Sequence, residues 1–214
     1  MKKILNGIYL ENPIFISALG LCSALAITTK FENAYMMGIC VLTVLIISNF
    51  IVSLTRKIIP ENVKMPVYIL IVGTVVTIIE ILLKKYIPLL HETFGIYLPL
   101  IIVNCVIIGR ALTVASKENI NESFTDAIGI GIGYTVSLMI IALIREIIGS
   151  NTITIMDSLS SLTGFKAVYT VIPANDIFPF SFLVTPAGAF LIIGLLMGII
   201  NYFVNKRRDN IESL

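Results

Sequence analysis

Charged residues are scarce in this chain of 214 residues: Lys and Arg number 15, Asp and Glu number 13, and together they make up 13% of the sequence. Soluble domains carry about a quarter charged residues. Here the charges separate long apolar stretches, apolar residues reach 57%, and the mean hydropathy is +0.98. This composition excludes an ordinary water-soluble domain and indicates an integral membrane protein. The net charge of +2 is small, and no basic helix with interleaved aromatic residues occurs, so nucleic acid is not an expected partner.

Histidine and cysteine are also rare, which limits the chemistry available to this chain. Its single histidine, His91, has no Gly-x-Ser-x-Gly motif or aspartate cluster to act with, which argues against a membrane protease or lipid transferase. No Rossmann or flavin-attachment motif occurs, so no nicotinamide or flavin site is expected. Cys22, Cys40 and Cys105 lie inside apolar runs, which does not fit the disulfide framework of a secreted protein.

Six apolar segments are long enough to cross a membrane as helices, which takes roughly 20 residues. Backbone amides in lipid need internal hydrogen bonds, and these segments are longer and less alternating than barrel strands. We therefore predict an all-α membrane protein of six transmembrane helices in a single membrane domain, residues 1–214. The predicted spans are Pro13–Thr29, Met36–Thr55, Pro66–Leu83, Ile96–Ala115, Ala127–Ile144 and Phe180–Val204.

The distribution of Lys and Arg predicts the orientation of these spans. A cytoplasmic N-terminus places twice as many of them inside as outside; those left outside are Lys30, Lys84, Lys85, Arg145 and Lys166. This bias favours a multi-pass protein of the plasma (inner) membrane with both N- and C-termini cytoplasmic. The longest connection, about 149–179, then faces outside, and its segment Met156–Leu162 has the mixed polarity of a short interfacial helix.

The chain also divides into two halves of three spans, residues 1–90 and 91–214. An odd number of spans reverses the second half, so the halves would be related by a pseudo-twofold axis in the membrane plane. The second span of each half ends in a charged pair, two isoleucines and a helix breaker, at Arg56–Pro60 and at Arg145–Gly149. We therefore predict two inverted three-helix repeats.

The first span of each half carries a cysteine near its middle, with helix breakers around it. Gly20 precedes Cys22, while Pro99 and Gly109 flank Cys105. Broken helices at matching positions of inverted repeats point to a site at mid-membrane depth, because irregular backbone there must line something other than lipid. We predict a site formed by Cys22 and Cys105, whereas Cys40 has no symmetric counterpart and is interpreted as core packing.

Two thiolates at mid-membrane depth allow few functions. A reversible disulfide would need a redox carrier nearby, and a zinc ion or an iron–sulfur cluster generally needs four protein ligands. This chain supplies two thiolates there, and His91 lies in the linker between the halves. The hypothesis is that an identical or homologous subunit contributes two more cysteines across an interface, and that a thiolate-ligated iron centre relays electrons inside the membrane.

Several segments, spread over nearly the whole chain, resemble one family of membrane subunits. That family contains the E subunit of the Rnf complex and its relative, the D subunit of the sodium-pumping NADH:quinone oxidoreductase. The Asn-Cys-x-x-x-Gly-Arg-Ala string is the most specific of the shared motifs. The resembling segments are Asn12-Pro13, Leu19–Cys22, Val103–Ala111, Arg145–Gly149 and Thr185–Phe190.

The resemblance implies a fold, a partner and a cofactor. Family members have six helices in inverted repeats and pair with a homologous subunit of opposite orientation, the A subunit in Rnf. Each partner contributes two cysteines to an iron–sulfur cluster, expected to be [2Fe-2S], and the motif match assigns this role to Cys22 and Cys105. The complex carries electrons between reduced ferredoxin and NAD+ and exports Na+ or H+. This chain would be one subunit of that translocase, without a complete active site, in contact with other Rnf subunits and the lipid bilayer.

Glu80 and Asn104 are two further candidates, and two other classes of protein fit part of the pattern. Glu80 is a charge inside the third span, with Lys84 as the suggested partner. Asn104 is suggested either to tune the redox potential of the centre or to bond a neighbouring helix. A vitamin-uptake component of the energy-coupling type also has six spans and needs no cysteine pair, and a pure scaffold would use the cysteines as core. Within the resemblance, the quinone reductase subunit is the alternative to Rnf.

Overall fold

The computed structural model describes residues 12–86, 88, 91, 95, 97–150, 152–154, 168–170 and 185–212. Within them, a 3-10 helix at Glu61–Val63 precedes α3, and a π-helix at Ala111–Ala115 continues α5. Two three-residue strands, β1 (Thr152–Thr154) and β2 (Val168–Thr170), pair antiparallel. The α-helices are α1 (Leu21–Ile27), α2 (Phe31–Thr55), α3 (Lys64–Tyr86), α4 (Leu98–Ile102), α5 (Cys105–Arg110), α6 (Ile120–Ser150) and α7 (Pro186–Glu212).

Helices long and apolar enough to cross a membrane dominate the described residues, which confirms the prediction of a helical, multi-pass membrane protein. Four such segments are present, and Pro186–Tyr202 is a shorter apolar helix. The arrangement as six spans in two inverted repeats, with a boundary near residue 90, stays a prediction. The four segments are Phe31–Thr55, Glu61–Tyr86, Leu98–Ala115 and Ile120–Gly149.

The connection after α6 contains the short strand pair, which the sequence did not predict. Its strands are rich in Thr, Val, Ile and Tyr, residues that favour extended backbone. The suggested interfacial helix at Met156–Leu162 lies outside the described residues. So does the start of the last predicted span, whose described helix begins at Pro186.

The first predicted span, Pro13–Thr29, is helical only over Leu21–Ile27. Asn12 folds the segment before it into a turn, because its side-chain Oδ1 accepts hydrogen bonds from the backbone N–H groups of Ile14 and Phe15, at 3.1 and 3.2 Å. Ala18 and Gly20 then adopt positive φ angles of 51° and 76°. The break therefore falls directly before the turn that carries Cys22.

The centre of the core is the antiparallel pair α2 and α6. Close approach is possible because glycine faces a larger side chain at two levels: a Cβ on Gly38 would collide with Thr135, and one on Gly131 would collide with Leu42. At the start of α2, the backbone N–H of Phe31 donates to Glu146 Oε2 at 2.7 Å. The long α2–α6 contact provides a rigid frame on which the short, broken helices pack.

An arginine from each half of the chain donates hydrogen bonds at the C-terminal end of the first span of the other half. Arg145, from α6, donates to Thr28 Oγ1 at 2.5 Å and to the Leu25 carbonyl at 3.3 Å, at the end of α1. Arg56, just after α2, donates to the Lys117 carbonyl at 3.0 Å and to that of residue 118, just after the π-helix. Cations at helix C-termini bind the carbonyls left unpaired there. These arginines belong to the two charged pairs that the sequence aligns.

Candidate functional site

Cys22 and Cys105 come together although 83 residues separate them in sequence. Cys22 is the second residue of α1 and Cys105 is the first residue of α5. Their Sγ atoms lie 4.0 Å apart, about twice the length of a disulfide bond, and both cysteines are free thiols. Cys22 is exposed and Cys105 is partly exposed. The two predicted site residues thus form one thiol pair at the protein surface.

A different residue type starts the helix at each cysteine: a glycine before Cys22 and an asparagine before Cys105. Gly20, before α1, has a φ of 76°, and a Cβ on it would lie 2.8 Å from Tyr134 Cε2 and 2.9 Å from Val106 Cγ2. Asn104, before α5, has extended backbone, and its Oδ1 accepts the Val106 N–H at 3.0 Å. This is the hydrogen bond of a helix N-cap. Because both helices begin here, each cysteine lies in the first turn of a helix.

A buried hydrogen-bond network holds the two breaks together behind the thiols. The Ser23 hydroxyl donates to the Gly20 carbonyl at 2.9 Å. Ser23 Oγ also lies 2.5 Å from the Tyr134 hydroxyl and accepts from Asn104 Nδ2 at 3.2 Å. Ser23, Asn104 and Tyr134 are each at most 1% exposed. The network therefore links α1, α5 and α6, and Asn104 makes the bond to a neighbouring helix that the sequence suggested as one of its two roles; its effect on the redox potential stays a prediction.

The donor set of this chain fits half of a four-ligand metal centre. Within the described ranges, no group of three or more His, Cys, Asp or Glu side chains is placed to hold a metal ion. Cys40 is partly buried and packs against the main hydrophobic core, as interpreted from the sequence. His91 lies at Glu80, with 3.6 Å between Nε2 and Oε1. The carboxylate of Glu80 thus has His91 as a partner, where the sequence suggested Lys84.

Ser23, Tyr134 and Arg145 are site residues that the sequence did not reveal. Arg145 is 1% exposed, although it was counted among the charges outside the membrane. Its position beside Glu146 after a long apolar run resembles an ordinary loop boundary. For Ser23 the sequence does contain a signal, because this polar residue directly follows the predicted ligand Cys22. Nothing local to Tyr134 indicates contact with Ser23.

The fold and the thiol pair together define a class of protein: a multi-pass helical membrane protein that presents two thiols at breaks in two helices. A family described as "Rnf-Nqr subunit, membrane protein" matches residues 1–197. This match covers most of the chain and both cysteines. The chain belongs to the Rnf-Nqr family of membrane subunits.

Three named relatives resemble the chain along almost its whole length. The E subunit of the Na(+)-translocating ferredoxin:NAD(+) oxidoreductase complex of Acetobacterium woodii is 40% identical over 206 residues, 96% of this chain and 98% of the relative. The E subunit of the proton-translocating ferredoxin:NAD(+) oxidoreductase complex of Clostridium ljungdahlii is 38% identical, over 99% of this chain and 94% of the relative. The E subunit of the ion-translocating oxidoreductase complex of Haemophilus influenzae is 38% identical, over 97% of this chain and 86% of the relative.

Proposed function

We propose that this chain is the E-type subunit of an ion-translocating ferredoxin:NAD+ oxidoreductase and relays electrons inside the plasma membrane. The observation that carries the proposal is the pair of thiols 4.0 Å apart, each in the first turn of a short helix that follows a break in the chain. The names of the relatives support the identity of the complex. In this proposal, both termini are cytoplasmic and electron flow is coupled to export of a cation.

The cofactor that suits this donor set is an iron–sulfur cluster, [2Fe-2S], shared with a homologous A-type subunit that supplies two further cysteines. Soft thiolate ligands suit such clusters, whereas zinc, which thiolates also bind, has no redox chemistry. When bound, the cluster would accept and pass on single electrons. Cys22 and Cys105 would be its ligands from this chain, and their exposure leaves them accessible to a partner.

The remaining site residues would hold the thiols in place and keep water from behind them. Asn104 starts α5, Gly20 starts α1, and Ser23 joins the two segments. Ser23, Asn104 and Tyr134 are buried and hydrogen-bonded to one another. The thiol pair therefore lies against a buried layer of hydrogen-bonded side chains. A rigid support of this kind reduces the reorganisation that a redox centre undergoes when its charge changes.

The test is iron content and low-temperature paramagnetic resonance on the chain produced alone and co-produced with its homologous partner. We expect a signal only with the partner, and its loss in both Cys22→Ser and Cys105→Ser. Cys40→Ser is the matched control, because Cys40 packs in the core, and should keep the signal. An assembled pair without iron would contradict the proposal and favour a vitamin-uptake component or scaffold. Electron transfer to quinone instead of NAD+ would favour the quinone reductase subunit.

A further inference from the structure

Cys22 and Cys105 have a second chemistry besides metal binding, because two neighbouring thiols are also the reactants of a disulfide bond. Their Sγ atoms lie 4.0 Å apart, and both cysteines are free thiols. A disulfide bond is about 2.05 Å long, so the two sulfur atoms would have to approach each other by about 2 Å. Each side chain can supply about half of this approach by rotating about its Cα–Cβ bond.

The two turns that carry the cysteines are in contact on both sides of the thiol pair. On one side, a Cβ on Gly20 would lie 2.9 Å from Val106 Cγ2. On the other side, Asn104 Nδ2 donates to Ser23 Oγ at 3.2 Å. These four residues lie within two positions of the two cysteines, which brings the two backbones close, as a disulfide requires. We therefore expect closure to need rotation of the two side chains, without movement of a helix.

The exposure of the pair makes it accessible to a reactant and ranks its two members. Cys22 is exposed and Cys105 is partly exposed, whereas Cys40 packs against the main hydrophobic core. Thiol–disulfide exchange proceeds by attack of a thiolate on a disulfide sulfur, and its rate depends on access. Cys22 is therefore the residue that a small disulfide reaches first. Cys105 is placed to react next, and Cys40 takes no part.

The oxidant that suits this site is a small, uncharged disulfide, R–S–S–R, which enters an apolar environment. The Cys22 thiolate attacks one of its sulfur atoms, forms a mixed disulfide and releases the first R–S–H after that group takes up a proton. The Cys105 thiolate then attacks the Cys22 sulfur, forms the bond between the two cysteines and releases the second R–S–H. In sum, the two cysteines give up two protons and two electrons, and R–S–S–R is reduced to two thiols.

Disulfide formation and metal binding exclude each other, because the thiolate is the metal ligand and a sulfur atom in a disulfide is no longer a thiolate. A disulfide is reversible, whereas oxidation of a thiol to the sulfinic stage is irreversible in most proteins. An exposed thiol pair that has no partner is open to such damage. Closure therefore preserves both ligands until a reductant releases them.

We propose that Cys22 and Cys105 form a reversible disulfide in the subunit while it lacks both a partner and a cluster. The biological role of this disulfide rests on the proposed function, in which the same thiols bind a cluster shared with a homologous subunit. The pair is then a redox switch for assembly. Its disulfide form closes the site, and its dithiol form receives the cluster.

The first experiment treats the full chain, purified alone and reduced, with dithiodipyridine, a small uncharged aromatic disulfide. We expect each chain to release two thiopyridone molecules and to become lighter by two hydrogen atoms, because closure leaves no adduct, and dithiothreitol should restore both thiols. Cys40→Ser is the matched control and should behave in the same way. Cys105→Ser should instead keep one thiopyridine adduct on Cys22. A lasting adduct on Cys22 of the unchanged chain would overturn the inference, since the two sulfur atoms would then not reach bonding distance.

The second experiment repeats the treatment on the purified whole complex and records the paramagnetic signal of the iron centre. We expect no disulfide between Cys22 and Cys105 and an unchanged signal, because both thiols are then occupied as ligands. Closure of the pair in the complex with the signal unchanged would contradict the electron-relay proposal, since these thiols would not be the ligands, and would leave the disulfide standing. The two failures are thus distinguishable.

Discussion

Asn104 donates a hydrogen bond from its Nδ2 to the Ser23 hydroxyl, 3.2 Å away, across the two broken spans. These residues adjoin the two thiols in sequence, since Asn104 precedes Cys105 and Ser23 follows Cys22. This bond therefore joins the two cysteine-bearing turns directly to each other.

Replacement of Asn104 by leucine should change both stability and redox potential. The variant loses the N-cap of α5 and the donor to Ser23, at a cost of about 1–3 kcal/mol in the free energy of unfolding. Thermal unfolding in detergent measures that loss, and a redox titration of the assembled pair measures the potential. Asn121→Leu, at an exposed asparagine, is the control. An unchanged potential in an assembled pair would show that the cap does not position the thiols.

Ser23 should matter more than Tyr134, although both belong to the same network. Ser23→Ala leaves the Tyr134 hydroxyl without its acceptor and the Asn104 amide with only its longer bond to the Tyr134 hydroxyl, at 3.5 Å, and an unpaired buried polar group costs about 1–3 kcal/mol. Tyr134→Phe removes one donor, while Ser23 still accepts from Asn104 and donates to Gly20. We expect a larger drop in unfolding temperature for Ser23→Ala. Equal drops would contradict this ranking, and a larger drop for Tyr134→Phe would mean that the tyrosine hydroxyl, not the serine, is central to the network.

The long apolar helices and the position of the thiol pair could be predicted from the sequence, because hydropathy and helix breakers are local signals. The predicted Met36–Thr55 and the observed Phe31–Thr55 end at the same residue, and breaks were expected close to where Gly20 and Asn104 start helices. The turn at Pro13–Ser17 could not be predicted, since Asn12 sets it by bonding two backbone N–H groups. Hydropathy alone does not detect such a bond.

The other features that the sequence did not predict arise from contacts between segments that are distant in the sequence. Arg145 reads as a charge at the end of a span, but it reaches α1 and the Thr185 carbonyl, and it becomes buried only once α1 packs against α6. The packing of α2 against α6 is similar, because no pattern within one helix specifies that Gly38 lies against Thr135 and Gly131 against Leu42.

Gly20 should not tolerate a side chain. Its φ of 76° lies in the left-handed region, and a Cβ would come within 3.0 Å of both Tyr134 and Val106. Strain of this kind costs roughly 1–2 kcal/mol, and the collisions add to it. Gly20→Ala should therefore lower the unfolding temperature and the iron content of the assembled pair. Gly194→Ala is the control: nothing lies within 4 Å of a Cβ there, and alanine favours the helix that contains it.

The two arginines that end the first spans should differ in importance. Arg145 is 1% exposed and has three hydrogen-bond acceptors at the end of α1 and at Thr185. Arg145→Met removes the buried donor to all three groups at once, so we expect a loss of about 3 kcal/mol or more in the free energy of unfolding. Arg56 makes its contacts in an exposed position, where water can replace the lost donor, and Arg56→Met should cost about 1 kcal/mol or less. Urea unfolding of both variants in mild detergent compares them directly. A larger loss for Arg56→Met would contradict this ranking and indicate that water replaces the Arg145 donor at the end of α1.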